Sequence, residues 1–476
     1  MTVLSRYTVL NSQFLQLRQA AQRQRYPDLA TRLQWLGTID ALLLQHGDDF
    51  TQAIAQDFGH RSPHETRLAD IMPLRDALRH TQRHLARWMR TQTVPTSLTF
   101  QPGRCLVMPQ PQGVVGVISP WNYPLILAIE PAMEALAAGN RVMIKPSELT
   151  PRFSALLAQT VAQAFPSDVL SVVTGGVEVA QAFTALPWDH LFFTGSTRVG
   201  REVAKAAAAN LTPVTLELGG KSPTIISASA DLERAASSLV MAKALNAGQT
   251  CIAPDYVFVH EHHRNAFSSA FSRALQQQYP ALGDTPDYSS LITDHHFDRQ
   301  LAMLDDARAQ GATIMAPHWA PNLPDRSRRR LAPTLILNAT ESMRVMQEEI
   351  FGPLLPVVFY ENTDVVINYI REHERPLALY WFGQSAQEEQ RILHETIAGG
   401  VTINDCILHI AQSNLPFGGV GASGYGSYHG EWGFKNFSKL KPIFRQSRWS
   451  GAHLMRAPYG KMFDWLSRAI GGPGAP

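Results

Sequence analysis

Between residues 113 and 217 short apolar runs alternate with longer amphipathic stretches, and no other feature restricts the fold as tightly. The runs at 114–118, 141–144, 170–173, 191–193 and 214–216 predict strands, and 126–138, 152–164, 177–185 and 198–209 predict helices. Strands separated by helices cannot close as tight hairpins; they join as right-handed βαβ units in a parallel sheet. Ligands of such sheets gather at the carboxyl ends of the strands. A second α/β stretch, about 220–404, carries strands near 223–226, 256–259, 335–337, 353–357 and 401–403. Residues 1–90 read as helices, with Leu10, Phe14, Leu17 and Ala21, and later Leu33, Leu36, Ile39 and Leu43, at helical spacing. Residues 96–100 and 105–108 flank Gln101-Pro-Gly-Arg104 and read as a hairpin, which needs another domain or subunit to lean on.

At 476 residues, two or three domains are expected. Lys+Arg 42 against Asp+Glu 40 leaves a charge of +2, which argues against a nucleic-acid partner. The basic cluster Arg326, Arg328, Arg329 and Arg330 reads as a solvated loop. Three cysteines without a CxxC pair indicate a reducing compartment and no metal framework. The N-terminus lacks a signal-peptide pattern. The most apolar stretch, 114–138, is interrupted by Pro120, Asn122, Pro124 and Glu130, so it cannot span a bilayer. A soluble, cytoplasmic protein is expected.

The candidate functional residues fall at strand ends or beside them. Cys251, in Asn246-Ala-Gly-Gln-Thr-Cys251-Ile-Ala-Pro-Asp-Tyr256, is a lone thiol among small and turn-forming residues, which leave its sulfur approachable. After the first strand comes Ser119-Pro-Trp-Asn-Tyr-Pro124, a stiff loop in which the Asn122 amide is a fixed donor. After the second comes Lys145-Pro-Ser-Glu148, whose Lys145 and Glu148 suit the two hydroxyls of a ribose. After the fourth, Thr194-Gly-Ser-Thr-Arg-Val-Gly200 opens a helix, where its glycines let a pyrophosphate approach backbone N–H groups and the positive helix end. After the fifth, Glu217 opens Glu217-Leu-Gly-Gly-Lys-Ser222, and Glu348-Glu-Ile-Phe-Gly-Pro353 sets Glu349 near the ring of Phe351. Taken singly, each has an ordinary reading: Asn122 as a helix cap, Lys145 with Glu148 as a surface pair, Glu217 as a strand-end carboxylate, Cys251 as a small buried hydrophobe. Their joint occurrence in this order favours a common site.

Those motifs resemble the NAD(P)-dependent aldehyde dehydrogenase superfamily, in its dimeric branch of fatty and aromatic aldehyde enzymes. Asp57-Phe-Gly-His-Arg-Ser62, Leu415-Pro-Phe-Gly-Gly-Val-Gly-Ala-Ser-Gly424 and Tyr428-His-Gly430 point to its coniferyl-aldehyde-dehydrogenase-like members. The resemblance implies an α/β fold with three parts. A Rossmann-like cofactor domain takes 1–94 and 113–218, a catalytic domain 219–412, and an oligomerisation arm built on the hairpin takes 95–112 and 413–446; residues 447–476 form a tail. It also implies roles: Cys251 the nucleophile, Asn122 with the Cys251 N–H the oxyanion site, and Glu217 the general base for thiol and water. A thiohemiacetal then loses hydride to nicotinamide and leaves a thioester. Lys145 and Glu148 match the adenine-ribose contacts, Gly195 and Ser196 the pyrophosphate region, and Glu349 and Phe351 the nicotinamide-ribose side, with Trp121 and Ser147 as further cofactor-binding candidates. Glu148 would repel an added phosphate, which favours NAD over NADP. The expected partner is a hydrophobic, aromatic aldehyde, and the expected assembly a homodimer. Alternatives are a long-chain fatty aldehyde enzyme, a coenzyme A-acylating enzyme, against which Glu217 speaks, and a non-catalytic protein on the same scaffold.

Other candidates carry less. His260-Glu-His-His263 invites zinc but offers no third or fourth ligand at suitable spacing, so no metal is assigned. Cys406 reads as a buried strand-end thiol and His429 as structural. Met462, Phe463, Trp465, Leu466 and Ile470 predict a short amphipathic helix that docks across the dimer in preference to a membrane. Residues 471–476 read as disordered.

Overall fold

The computed structural model describes residues 3–451 and 456–471. Its first large sheet has six strands in the order Gly424–Tyr425, Val214–Glu217, His190–Thr194, Val114–Ile118, Arg141–Lys145 and Leu170–Val172, all parallel but the first. Residues of Val114–Ile118, Arg141–Lys145 and His190–Thr194 are buried throughout, as expected of a sheet covered on both faces. The crossover helices are Ile126–Ala137, Pro151–Ala164, Val177–Thr184 and Thr197–Ala208, within one or two residues of the sequence expectation. From Val114–Ile118 the chain steps first one way across the sheet and then the other. The crevice between that strand and His190–Thr194 is therefore a topological switch point. The loops bearing Asn122 and Gly195 leave from its rim.

The N-terminal helices pack on this layer. Phe14 meets Trp188 edge to face at 4.9 Å, and the buried Arg32 guanidinium donates to the Ala137 carbonyl at 3.0 Å. The second sheet has seven strands in the order Thr313–Met315, Thr334–Leu337, Leu354–Tyr360, Tyr256–His260, Pro223–Ile226, Ala378–Phe382 and Gly400–Ile403. Only Thr313–Met315 runs antiparallel. Two of its strands escaped the sequence reading. Thr313–Met315 is short and largely exposed, and Ala378–Phe382 is so evenly apolar that it has no alternation to detect.

The hairpin expectation is corrected. Its first arm is Gln92–Val94, not 96–100; Pro95 has no N–H to continue the ladder, and Leu98–Phe100 is a single 3-10 turn. Its second arm, Arg104–Pro111, pairs along its whole length with Ser438–Arg445, so the support comes from the same chain. Residues 413–446 are also not all arm, since Gly424–Tyr425 joins the six-stranded sheet opposite Glu217 and Leu216. The arginine cluster is only partly solvated. Arg330 is buried, and Arg329 donates to the carbonyls of Phe58 at 2.7 Å and Leu291 at 2.9 Å. The predicted C-terminal helix spans Lys461–Gly471, with Met462 and Trp465 exposed; of the stretch 471–476 expected to be disordered, Gly471 closes this helix and 472–476 lie outside the described residues. Among the described residues no helix is long and apolar enough to cross a membrane.

Candidate active site

Where the two large sheets meet, a cavity of about 450 Å³ is lined by Asn122, Glu217 and Cys251 together with Trp121, Gly195, Ser196, Glu349 and Phe351. Eight of the eleven candidate residues thus converge on one space. Lys145, Ser147 and Glu148 are not among its lining. They follow the neighbouring strand, with Lys145 buried and its Nζ donating to Glu148 Oε2 at 3.0 Å and to the Pro146 carbonyl at 2.9 Å. The expected pair exists, but it bridges a buried ammonium to a half-exposed carboxylate instead of lying on the surface.

The nucleophile loop has an uncommon backbone. After the helix Leu232–Ala244, residues Asn246 (φ 51°), Ala247 (φ 53°) and Gly248 (φ 74°) are all left-handed. A non-glycine residue there costs about 1–2 kcal/mol, so the turn must be held from outside. Gly248 is required, because a Cβ would run into the Gly352 carbonyl. At the next residue, the Gln249 carbonyl accepts the Asn122 Nδ2 amide at 3.1 Å, tying the two loops beside Cys251. The Tyr123 hydroxyl joins them again at Thr250 Oγ1, 2.6 Å away. Burial pushes the Cys251 thiol up to about 12, helped by the Glu349 and Glu217 carboxylates, while the N–H groups of Cys251 and Ile252 pull it down. The resting sulfur therefore keeps its proton and needs a base.

Glu217 ends its strand only 2 % exposed, and neither carboxylate oxygen has a hydrogen-bond partner. Burial alone holds its proton well above the usual carboxylate range. An unpartnered buried carboxyl is expensive as structure, so its presence points to chemistry. Room for it comes from Gly418, where a Cβ would lie 3.1 Å from Glu217 Oε1.

Across the cavity, Trp121 packs edge to face on Phe351 at 5.5 Å and on His296 at 5.1 Å. Phe351 is itself left-handed (φ 48°). Its loop is fixed by Arg299, which donates to the carbonyls of Glu349 at 2.5 Å and Ile350 at 2.8 Å, and by Lys221, which binds Asp255 and the Val345 and Glu348 carbonyls. Burial raises Glu349 to about 7, with Asp255 adding to the effect.

His295, His296 and Arg299 line the cavity and escaped the sequence reading. The available signal was a histidine pair opening the helix Asp294–Ala309 behind the cap Thr293. Burial lowers His296 to about 4, so it is a neutral ring packed on Trp121. His429 is buried with its Nε2 3.6 Å from Glu130 Oε2, and Cys406 is fully buried. The histidines after Tyr256–His260 spend their rings locally, His260 on the Glu361 carbonyl and His263 on the Ser227 carbonyl. Among the described residues no group of three metal-ligating side chains exists.

The lining suits a dinucleotide. A Cβ at Gly195 would lie 2.6 Å from the Phe193 ring and one at Gly219 would strike the Glu349 carboxylate, so backbone, not side chain, faces the cavity at both points. Ser196 caps the helix Thr197–Ala208, whose N-terminus opens on the same space and favours phosphate.

The aldehyde dehydrogenase family model matches residues 14–443. The protein named "Probable coniferyl aldehyde dehydrogenase" in Pseudomonas aeruginosa is 48% identical, covering 96% of this chain and 95% of the relative. Coniferyl aldehyde dehydrogenase of a Pseudomonas species is 45% identical, covering 96% and 95%. Among solved structures, substrate-bound AldH of Staphylococcus aureus superposes with a TM-score of 0.92 at 34% identity, covering 97% of this chain and 99% of that one. An NAD+ complex of a Mycobacterium tuberculosis aldehyde dehydrogenase reaches 0.81 at 28% identity, covering 92% and 90%. A half-buried thiol, an orphaned carboxyl and a tethered amide around one cavity agree with these matches: the chain belongs to the aldehyde dehydrogenase family.

Proposed function

We propose that this enzyme oxidises a hydrophobic aryl aldehyde of the coniferyl type to its carboxylic acid with NAD. The observation that carries the reading is the convergence of Cys251, Glu217 and Asn122 on one cavity between the sheets. Cys251 Sγ adds to the aldehyde carbon, and its proton passes to Glu217. The carbonyl oxygen becomes an oxyanion held by the Asn122 amide and the Cys251 N–H, a donor type worth about 3–4 kcal/mol of barrier. When bound, NAD supplies the acceptor for the hydride that leaves the same carbon. Glu217, having passed the thiol's proton to solvent, then takes one from water as that water attacks the thioester; the C–S bond breaks and this second proton passes from Glu217 to the sulfur.

Gly195 and Ser196 hold the pyrophosphate, Lys145, Ser147 and Glu148 the adenine ribose, and Trp121, Glu349 and Phe351 the nicotinamide side. Glu148 disfavours an extra ribose phosphate, which makes NAD the preferred cofactor. The fold divides into a cofactor domain (1–94 and 113–218), a catalytic domain (219–412) and an arm. The arm exposes Leu98, Phe100, Leu440 and Phe444, an apolar set suited to a homodimer contact. A cytoplasmic setting accords with three free cysteines.

The relatives' names support the coniferyl-type substrate. An initial-rate panel of coniferyl, cinnamyl, benzyl and long-chain aldehydes with each nicotinamide cofactor tests it. The highest kcat/KM is expected for coniferyl aldehyde with NAD. A long-chain aldehyde turned over tenfold better would transfer the assignment to fatty substrates.

A further inference from the structure

Behind Asn122 lies a buried charged network that no step above uses. It comes from the segment after the helix Leu29–Asp57, and neither Arg61 nor Asp70 lines the cavity. Arg61 and Asp70 are wholly buried. Arg61 Nη1 donates to the main-chain oxygen of Asn122 at 2.9 Å, and Nη2 donates to Asp70 Oδ2 at 3.0 Å. The guanidinium also lies 4.8 Å from the Tyr123 ring and 5.3 Å from the Phe58 ring. The other Asp70 oxygen accepts the N–H groups of Leu125 at 3.2 Å and Ile126 at 3.1 Å. One ion pair thus grips the Asn122 peptide and the start of the helix that follows it.

The network extends to the nucleophile loop. Asn246 Nδ2 donates to the same Asn122 oxygen at 3.0 Å and to the Gln249 carbonyl at 3.2 Å. The Asn246 N–H is in turn held by Glu65 Oε1 at 3.0 Å. Buried ion pairs are poor devices for stability, since their desolvation cost rivals their attraction. The planar fork of an arginine does fix direction, because its two arms can address two acceptors at once. The loop in question has two prolines, Pro120 and Pro124, and the Asn122 carbonyl has no strand to pair with.

We infer that Arg61 is a positioning residue: paired with Asp70, it fixes the Asn122 peptide so that the side-chain amide stands where the oxyanion forms on Cys251. The inference rests on Asn122 being the oxyanion donor. A reacting group misplaced by about 1 Å can lose roughly 10²-fold in rate, which sets the scale of the effect.

A double-mutant cycle tests it, because Asn122→Ala removes the amide but keeps the main-chain oxygen that Arg61 holds. In the full-length enzyme, with saturating NAD and coniferyl aldehyde as the varied substrate, Arg61→Met should lower kcat/KM roughly 30- to 100-fold. In the Asn122→Ala background the same change should cost less than about threefold, the two effects being coupled. NAD affinity, read from tryptophan fluorescence, should be unchanged by Arg61→Met in both. An equal loss in the two backgrounds would overturn the inference, since an arginine needed only for folding weakens both alike. So would an Arg61→Met enzyme with full kcat/KM. If Arg61→Met does not fold, Arg61→Lys, which keeps the charge but not the fork, enters the same cycle under the same criteria. Undiminished turnover by Asn122→Ala alone would strike the oxyanion reading itself, and so separates the two failures.

Discussion

The two large sheets bring residues to one cavity by different means. Gly195 and Glu217 stand at or just after strand ends of the six-stranded sheet, so the backbone ladder itself sets where they sit, whereas Asn122, four residues past its strand, also needs the grip of Arg61 and Asn246. Cys251 and Phe351, on the side of the seven-stranded sheet, belong to loops with left-handed residues and are held by side chains: Gln249, Lys221, Asp255 and Arg299. Gln249 shows how closely. Its amide donates to the carbonyls of Asn246 at 3.0 Å and Ser290 at 3.1 Å and accepts the Ile292 N–H at 2.9 Å. A regular edge places a group cheaply but coarsely. An irregular loop can aim one group closely, and it then depends on many polar contacts to stay folded.

The comparison can be broken first at the sulfur. Cys251→Ala should abolish NADH formation with every aldehyde while NAD binding, measured by fluorescence, persists; turnover retained in that variant would remove the nucleophile. Next in size is Glu217→Gln, which should lower kcat by about 10²–10⁴-fold, the usual worth of a general base. A loss below about threefold would leave the orphaned carboxyl without a catalytic role.

The pH profile sharpens the same contrast. Both the thiol, pushed up to about 12, and Glu217, held well above its ordinary value, lose protons only as pH rises. Stopped-flow kcat/KM should therefore climb between pH 6 and about 9. A profile that falls over that interval contradicts the assigned protonation states.

The smallest effect concerns stability at the loop's anchor. Burial raises Glu65 from 4.5 to about 7. A carboxyl raised on folding binds its proton more tightly in the folded state, so its contribution is full below pH 4.5 and is lost as pH rises through 7. Relative to Glu65→Gln, the wild-type Tm should fall as pH goes from 5 to 8, a drift that calorimetry of both proteins can follow. A parallel course of the two curves would show that Glu65 does not titrate in this range.

The same division explains what the sequence made legible. The parallel strands of the first sheet appear as buried apolar runs with helical spacing between them, and each was located to within a residue or two. The arm was misjudged because Gln92–Val94 is short and exposed, and because Ser438–Arg445, the long partner of Arg104–Pro111, lies more than three hundred residues away in the chain, beyond any local pattern. Asn122, Glu217 and Cys251 drew attention through their motifs. His295, His296 and Arg299 did not, for they carry no distinctive spacing and gain meaning only when Trp121 and the Glu349 carbonyl are brought against them. Arg61 lies in the quoted motif Asp57-Phe-Gly-His-Arg-Ser62, yet nothing in that motif announces its burial or its hold on Asn122.

The central claim is that the Cys251 sulfur and the Glu217 carboxyl serve the same carbonyl carbon in succession. Peptide-mapped mass spectrometry of Glu217→Gln, quenched after mixing with NAD and coniferyl aldehyde, tests this most directly. The account predicts the mass of the acyl group on the peptide carrying Cys251, building up slowly because the thiol has lost its base and persisting because water can no longer be activated to release it. An unmodified Cys251 peptide in an enzyme that still produces the acid would contradict it.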